Sequence, residues 1–343
     1  MTGEPTTTAR VFQIEGGFGL DKLSLAERAA REPGPGEVAV RVRAVALNYR
    51  DLLMVRGHYN PRQPLPLIPC SDGAGEVVAV GPGVTRVKVG DRVASMFAQD
   101  WASGQPNKAA LSSTLGGPRD GMLAERVVLP ERGVAPVPAH LEDAEAATLP
   151  CAALTAWSAL VTLGGVTAGD TVLVQGTGGV SIFALQFACL LGARVIATSS
   201  SDAKLERARA MGAWRTINYR TTPDWGKVAR KLSGDGVDHV VEVGGAGTLQ
   251  QSIRAVRPGG QISLIGVLAG GASELNMTPV LMQQIRVQGV LVGHREGFEA
   301  MCRAIGQHAL RPVIDRVFPF SEARAALEHL ASGRHFGKVC ISI

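Results

Sequence analysis

The residues with the plainest chemical potential run from Val172 to Ser181 and read Val-Leu-Val-Gln-Gly-Thr-Gly-Gly-Val-Ser. A buried, β-branched run stops at a glycine cluster, and a helical stretch follows. This is a near match to GxGxxG in the required context, a strand before it and a helix after it. Gly176 permits the tight turn, and Gly178 lets the backbone approach a pyrophosphate at the helix N-terminus. Ser181 takes the place of the third glycine, where a small residue still allows close helix–strand packing. Gly176, Thr177, Gly178, Gly179 and Val180 are therefore expected to hold a dinucleotide. The competing reading is a plain tight turn in an α/β sheet.

The next strand bears on which dinucleotide. NAD-type sites place an acid about twenty residues past the loop to hold the ribose hydroxyls. Here the strand ends Ala197-Thr198-Ser199-Ser200-Ser201-Asp202-Ala203-Lys204. Ser199 and Ser200 put hydroxyls where the acid is expected, and Lys204 adds a cation within a turn. A 2′-phosphate wants donors and positive charge, so NADP(H) fits better than NAD. Lys204 reads equally as a solvated helix lysine, and Asp202 as a helix N-cap or first-turn acid. Tyr219, at the end of the following strand, suits the adenosine end of the cofactor or ordinary packing.

Elements must position that loop, and 343 residues predict about two domains. Hydrophobic residues make up 45% and charged residues 19%, which excludes a disordered chain. The net charge of +5 is spread without runs, too dilute for a nucleic-acid partner. Five cysteines, odd in number, widely spaced and without a CxxC pair, indicate neither a disulfide scaffold nor a structural zinc. With a polar Met1–Arg10 that lacks a signal-peptide core, this predicts a cytoplasmic address. Thr171–Ala193 carries no charge and is long enough to span a bilayer, but its glycines and polar residues predict strand, turn and helix, with no membrane partner.

The first 130 residues read as β-rich, with strands at Val38–Val45, Glu76–Val80 and Arg92–Ser95, a short helix at Tyr49–Arg56, and a long loop at Trp101–Asp120. Beyond Pro130, strands at Thr171–Gln175, Arg194–Ala197, Val237–Glu242 and Gln261–Ile265 alternate with helices at Ile182–Leu191, Asp202–Met211 and Leu249–Ala255. Such alternation predicts a parallel sheet covered on both faces, so the fold class is α/β. The tail, from about Val313, predicts a strand, a helix at Glu322–Ser332 and a final strand at Lys338–Ile343.

Several segments in order carry a family resemblance: Pro35-Gly36-Glu37-Val38, Asn48-Tyr49-Arg50-Asp51, Gly73-Ala74-Gly75-Glu76-Val77, Val89-Gly90-Asp91-Arg92-Val93, Leu154-Thr155-Ala156-Trp157, the glycine loop, and His335-Phe336-Gly337-Lys338-Val339. Over almost its full length the chain resembles the medium-chain dehydrogenase/reductase superfamily, and within it the zinc-independent, quinone-oxidoreductase-like branch. The resemblance implies a GroES-like β-rich catalytic domain (residues 1–130), a doubly wound Rossmann NADP-binding domain (131–275), and a segment (276–343) that supplies the last Rossmann strands and returns to complete the first domain. The active site would lie in the cleft between the domains. It further implies that Thr155, Gly244, Gly245 and Gly266 approach the cofactor, and that Lys338 closes over its phosphates or ribose. Arg286–Val292, read as an edge strand, would pair with its twin in a homodimer.

The zinc-dependent members supply Cys, His and Cys to a catalytic metal. Their Cys-x-x-Asp aligns with Asn48–Asp51, which replaces the thiolate by Asn48, and their Gly-His-Glu aligns with Cys70-Ser71-Asp72, which replaces the imidazole by Ser71. Cys151 alone keeps a ligand type, and no cysteine lies between Met96 and Leu129, where four normally hold a structural zinc. No metal is expected. Without one, alcohol oxidation lacks its usual means of stabilising an alkoxide, and Arg50 stands at the proton-relay Ser/Thr position. A quinone or α,β-unsaturated carbonyl is already electrophilic, and its reduced product needs only hydrogen bonds and a proton. Asn48, Tyr49, Asp51 and Tyr59 are the candidate catalytic residues, the two tyrosines as proton donors and Asp51 mainly as a loop-orienting group. His58 and His335 are the nearest histidines and read more readily as structural. The expected activity is zinc-independent hydride transfer from NADPH to a quinone or enone. The alternatives are a metal-free NADP-dependent alcohol or aldehyde dehydrogenase, or an inactive dinucleotide-binding protein.

Overall fold

The computed structural model describes residues 8–343, so most of the polar N-terminal stretch lies outside the described residues. The chain divides into two compact units, Met1–Ala152 with Gly293–Ile343, and Ala153–Val292. The expected segments are 1–130, 131–275 and 276–343, and the last of these supplies residues to both units. A short helical segment, Leu149–Ala153, runs up to the first boundary, and the strand Arg286–Gly289 remains with the second unit.

The first unit is built on β1 (Thr8–Ile14), β2 (Leu23–Ala29), β3 (Glu37–Leu47), β4 (Asp72–Val80), β5 (Arg92–Ser95), β6 (Arg126–Pro130) and β7 (Val134–Pro136). The second contributes β8 (Thr171–Gln175), β9 (Arg194–Ser199), β10 (Arg215–Asn218), β11 (Val237–Glu242), β12 (Val256–Leu264) and β13 (Arg286–Gly289). The chain then returns to the first unit with β14 (Ile314–Pro319) and β15 (Lys338–Ser342).

In the first unit a seven-stranded sheet runs β14-β15-β3-β4-β5-β7, with β6 also on β3. β15 pairs antiparallel with β3, Ile341 opposite Val45, so the last residues of the chain complete a sheet begun near residue 37. β3 buries Val38, Val40, Val42, Val45 and Leu47, and its alternation of valines with Arg41 and Arg43 is the period-2 pattern of a half-buried strand. Leu52, Met54 and Val55 of the helix Tyr49–Val55 join the same core with Leu327 and Ile341.

The second unit holds a six-stranded sheet ordered β10-β9-β8-β11-β12-β13, and every pairing is parallel. This is the doubly wound order, and it reverses between β8 and β11. All five residues of β8 are buried, as a central strand covered on both faces requires. The uncharged run 171–193 resolves into β8, the glycine turn and the helix Gly179–Leu190, and among the described residues no helix is long and apolar enough to cross a membrane. Within the expected loop 101–120 one short helix forms, Lys108–Leu111.

Because Ile341 is fully buried at the junction of β15 and β3, Ile341→Ala is expected to cost about 2–5 kcal/mol. Urea unfolding should show a lower midpoint with an unchanged slope.

Candidate active site

The glycine loop leaves room for a ligand. Gly176 sits at φ +71°, a left-handed turn that a side chain would strain. Gly178 has an ordinary extended backbone (φ −78°, ψ −177°), and a Cβ there would meet nothing within 4 Å. Neither backbone conformation nor internal packing asks for glycine at 178. Its missing side chain opens space directly before the N-terminus of the helix Gly179–Leu190, where unpaired backbone N–H groups favour an anion. These residues fit a dinucleotide pyrophosphate. Ser181, standing for the third glycine, is buried and donates its hydroxyl to Gln175 O.

Gly244 and Gly266 have a different reason to be glycine. A Cβ on Gly244 would lie 2.2 Å from Thr248 Oγ1, and one on Gly266 would lie 2.3 Å from Val243 O, so internal packing already accounts for both. The sequence reading missed what organises this loop. Glu242, fully buried at the end of β11, accepts hydrogen bonds from Gly244 N (2.8 Å), Gly245 N (3.0 Å), Thr248 Oγ1 (2.6 Å), Gln175 Nε2 (2.6 Å) and Ser252 Oγ. Gln175 immediately precedes the glycine turn, so one carboxylate ties the ends of β8 and β11 together at the point where strand order reverses.

At the end of β9, Ser199 is buried and its hydroxyl accepts from Ser201 N (3.3 Å). Ser201 caps the helix Asp202–Ala210 by accepting from Lys204 N (3.4 Å), so Asp202 is the first-turn acid and not the cap. Asp202 accepts from Asn218 Nδ2 at 2.7 Å. Ser200 and Lys204 are half-buried, and Tyr219 is 41% exposed. Thr155 is buried in the helix Leu154–Trp157, and Thr177 is buried within the glycine turn.

The first unit gathers a second constellation. Asn48 precedes the helix Tyr49–Val55, and Asp51, one turn in, accepts its N–H at 2.8 Å. Lys338 lies elsewhere than expected. Gly337 turns the chain at φ +82°, where a Cβ would meet Val313 O at 2.3 Å, and this delivers Lys338 to the start of β15. Its side chain is 3% exposed, and Nζ donates to Leu47 O (2.7 Å) and Asn48 Oδ1 (2.6 Å). The ammonium is thus held inside the first unit by two oxygen acceptors.

Two buried carboxylates share this interior. Asp72 accepts from Ser71 Oγ (2.6 Å) and Cys151 N (3.0 Å). Burial pushes its pKa up, opposed first by the charge of Lys338 and then by hydrogen bonding from Ser71 and Asn48. Burial also raises Asp51, to about 6, against the pull of Arg50 3.9 Å away. With no exposure, Asp51 positions Asn48 and does not reach a substrate. Burial, reinforced by Asp72, drives the Cys151 thiol well above its ordinary range. Cys70 holds a left-handed backbone (φ +70°) between these groups and is fully buried.

Arg50 supports the exposed face. Its guanidinium lies 4.8 Å from the Tyr59 ring and 4.9 Å from Phe97, and donates to Leu115 O, Thr114 Oγ1 and Gly117 O. Tyr59 is 46% exposed and Tyr49 43% exposed. Arg50 thus stacks on the ring of one candidate proton donor while tying the loop 114–117 in place.

Since Gly178 is glycine for nothing inside the protein, Gly178→Val should leave the melting temperature within about 2 °C of the parent. It should weaken dinucleotide binding at least roughly tenfold by calorimetry.

Comparison with known proteins agrees with this geometry. Residues 34–139 match the alcohol dehydrogenase GroES-like domain, and residues 179–307 match the zinc-binding dehydrogenase family. A zinc-type alcohol dehydrogenase-like protein of Schizosaccharomyces pombe is 43% identical over 95% of this chain and 96% of its own. An acryloyl-coenzyme A reductase of Metallosphaera sedula is 30% identical over 91% and 93%. The crystal structure of an NAD-dependent alcohol dehydrogenase superposes with a TM-score of 0.89 at 38% identity, covering 97% of this chain and 99% of that one.

The family's zinc finds a poor donor set here. Asn48 offers an amide already bonded to an ammonium and Ser71 a hydroxyl spent on Asp72, which leaves Cys151 as the one thiolate donor of the three positions. Among the described residues no group of three or more His, Cys, Asp or Glu side chains is arranged to hold a metal ion. Two family models spanning both units, a relative 43% identical along nearly its whole length, and the shared fold show that the chain is an oxidoreductase of the medium-chain dehydrogenase/reductase superfamily.

Proposed function

We propose that the protein is an NADPH-dependent reductase of quinones or α,β-unsaturated carbonyls that works without zinc. The observation that carries this reading is the contact between Lys338 Nζ and Asn48 Oδ1, a bound cation at the position where zinc-dependent relatives place a thiolate. A site of this kind has no Lewis acid to stabilise an alkoxide, so it suits acceptors that are electrophilic beforehand. The bound dinucleotide supplies the hydride. Tyr59, stacked on Arg50, or Tyr49 at the helix start donates the proton that completes reduction, and Asn48 is held in position by Asp51 and Lys338. The relative named acryloyl-coenzyme A reductase supports the acceptor class. Hydroxyls and Lys204 near the end of β9, in place of an acid on the strand, support NADP(H), although one solved relative is NAD-dependent.

A second reading, a metal-free alcohol or aldehyde dehydrogenase, is favoured by the alcohol dehydrogenase names among the relatives. Protein purified with and without chelator separates the two. The expected result is NADPH oxidation with quinones or enones, unaffected by chelation, a larger kcat/KM for NADPH than for NADH, and zinc well below one per chain. Tyr59→Phe should lower kcat with the KM for NADPH unchanged. Chelator-sensitive alcohol oxidation with inert quinones and enones would reject the proposal.

The exposed β13, at the edge of its sheet, supports a homodimer in which two such edges pair in a cytoplasmic enzyme. Light scattering should give the mass of two chains, and a single-chain mass would remove that assignment.

A further inference from the structure

We propose that Lys338 is the resident cation of the site, a positioning residue that supplies the positive charge a metal ion would bring and keeps divalent cations out. The inference rests on the zinc-free reading and extends it to one side chain. Four ionisable side chains are withdrawn from solvent here: Asp51 and Asp72 are 0% exposed, Lys338 is 3% exposed, and the Arg50 side chain is 9% exposed. Two carboxylates face two cations, so the interior is balanced only while Lys338 is present. Arg50 is held elsewhere, its two terminal guanidinium nitrogens donating to Leu115 O, Thr114 Oγ1 and Gly117 O, so it does not reach Asn48 Oδ1 as Lys338 does.

Asn48 links the opposite charges. Its Oδ1 accepts from Lys338 Nζ, and Asn48 with Ser71 lowers the pKa of Asp72. An ammonium 2.6 Å from Oδ1 occupies one lone pair of that oxygen, and its fixed charge would repel a dication brought to the same place. Restoring thiolate and imidazole at positions 48 and 71 is therefore insufficient to make a metal site while Lys338 remains. The thiols Cys70, Cys151 and Cys340 also feel Lys338, and burial is the largest influence raising all three. A protonated thiol is neutral, so the charge balance of the cluster falls on Asp51, Asp72, Lys338 and Arg50.

Two measurements test the proposal without using activity. In the first, Lys338→Met is expected to lower the melting temperature by about 5–10 °C because it strands a buried negative charge. Combining Lys338→Met with Asp72→Asn, or separately with Asp51→Asn, restores neutrality and should recover at least half of that loss. Asp51→Asn is the gentler partner, since Asp51 Oδ1 makes no hydrogen bond and its Oδ2 contact to Asn48 N survives as an amide oxygen. Double variants no more stable than Lys338→Met would overturn the proposal, since a packing role for lysine predicts additive losses.

In the second, the Asn48→Cys/Ser71→His variant, with Cys151 in place, should hold less than about 0.1 zinc per chain after dialysis against zinc. Adding Lys338→Met should raise this severalfold. Stoichiometric zinc with Lys338 still present would also overturn it. The parent reading fails differently: the wild-type protein would itself carry zinc or reduce no quinone or enone, whatever these variants do.

Discussion

A buried ammonium does more than any other group to define the first unit. Lys338 Nζ reaches Leu47 O and Asn48 Oδ1, residues about 290 positions earlier, and so fastens the last strand to the end of β3 and the start of the following helix. A charge taken from water is costly unless donors and counter-charges surround it. Here the surrounding groups are the residues that would otherwise do chemistry: Asn48 touches the ammonium, and Asp51 and Asp72 balance it. The sheet order β15-β3-β4 brings position 338 to this interior, since β15 pairs with the end of β3.

Local pattern carried the second unit well. β8 and β11 fall at the expected Thr171–Gln175 and Val237–Glu242, although Asp238 and His239 interrupt the apolar run of β11, and the glycine turn lies between strand and helix as its spacing requires. Two further helices, Trp225–Ser233 and Arg295–Gln307, carry readable apolar stripes, Trp225, Val228 and Leu232 in the one and Phe298, Met301 and Ile305 in the other, and lie outside the elements expected from the strand–helix alternation. The short strands β6 and β7 are defined by their partners and not by their own composition.

The site was legible in part. Residues that act alone, Gly176 through its left-handed backbone and Gly178 through its missing side chain, announce themselves by type and spacing. Residues that act through a partner far along the chain do not. The family resemblance implies that Lys338 closes over the cofactor's phosphates or ribose, and nothing local in the sequence shows that its amine faces inward. The Gln175–Glu242 pair is similarly mute, being two polar residues at strand ends 67 positions apart whose meeting depends on β8 lying beside β11. Buried polar residues inside otherwise apolar strands were the available signal, since each must find a partner.

The two units meet the cost of buried carboxylates in opposite ways, and the difference matches what each must accommodate. Glu242 is surrounded by backbone amides, hydroxyls and a side-chain amide. Its charge is thereby spread over neutral dipoles, and no cation has to stand at the sheet's reversal point. A fixed cation there would compete with the helix N-terminus as the pole that orients an anionic pyrophosphate. The first unit balances Asp51 and Asp72 with Lys338 and Arg50 instead, and in the reaction proposed for this protein an acceptor that gains a hydride passes through an anionic form. A lysine held rigidly beneath Asn48 offers that charge a steady positive field without a coordination shell to rearrange, so the burial of Lys338 serves both the stability of the sheet and the electrostatics of the reaction proposed for it.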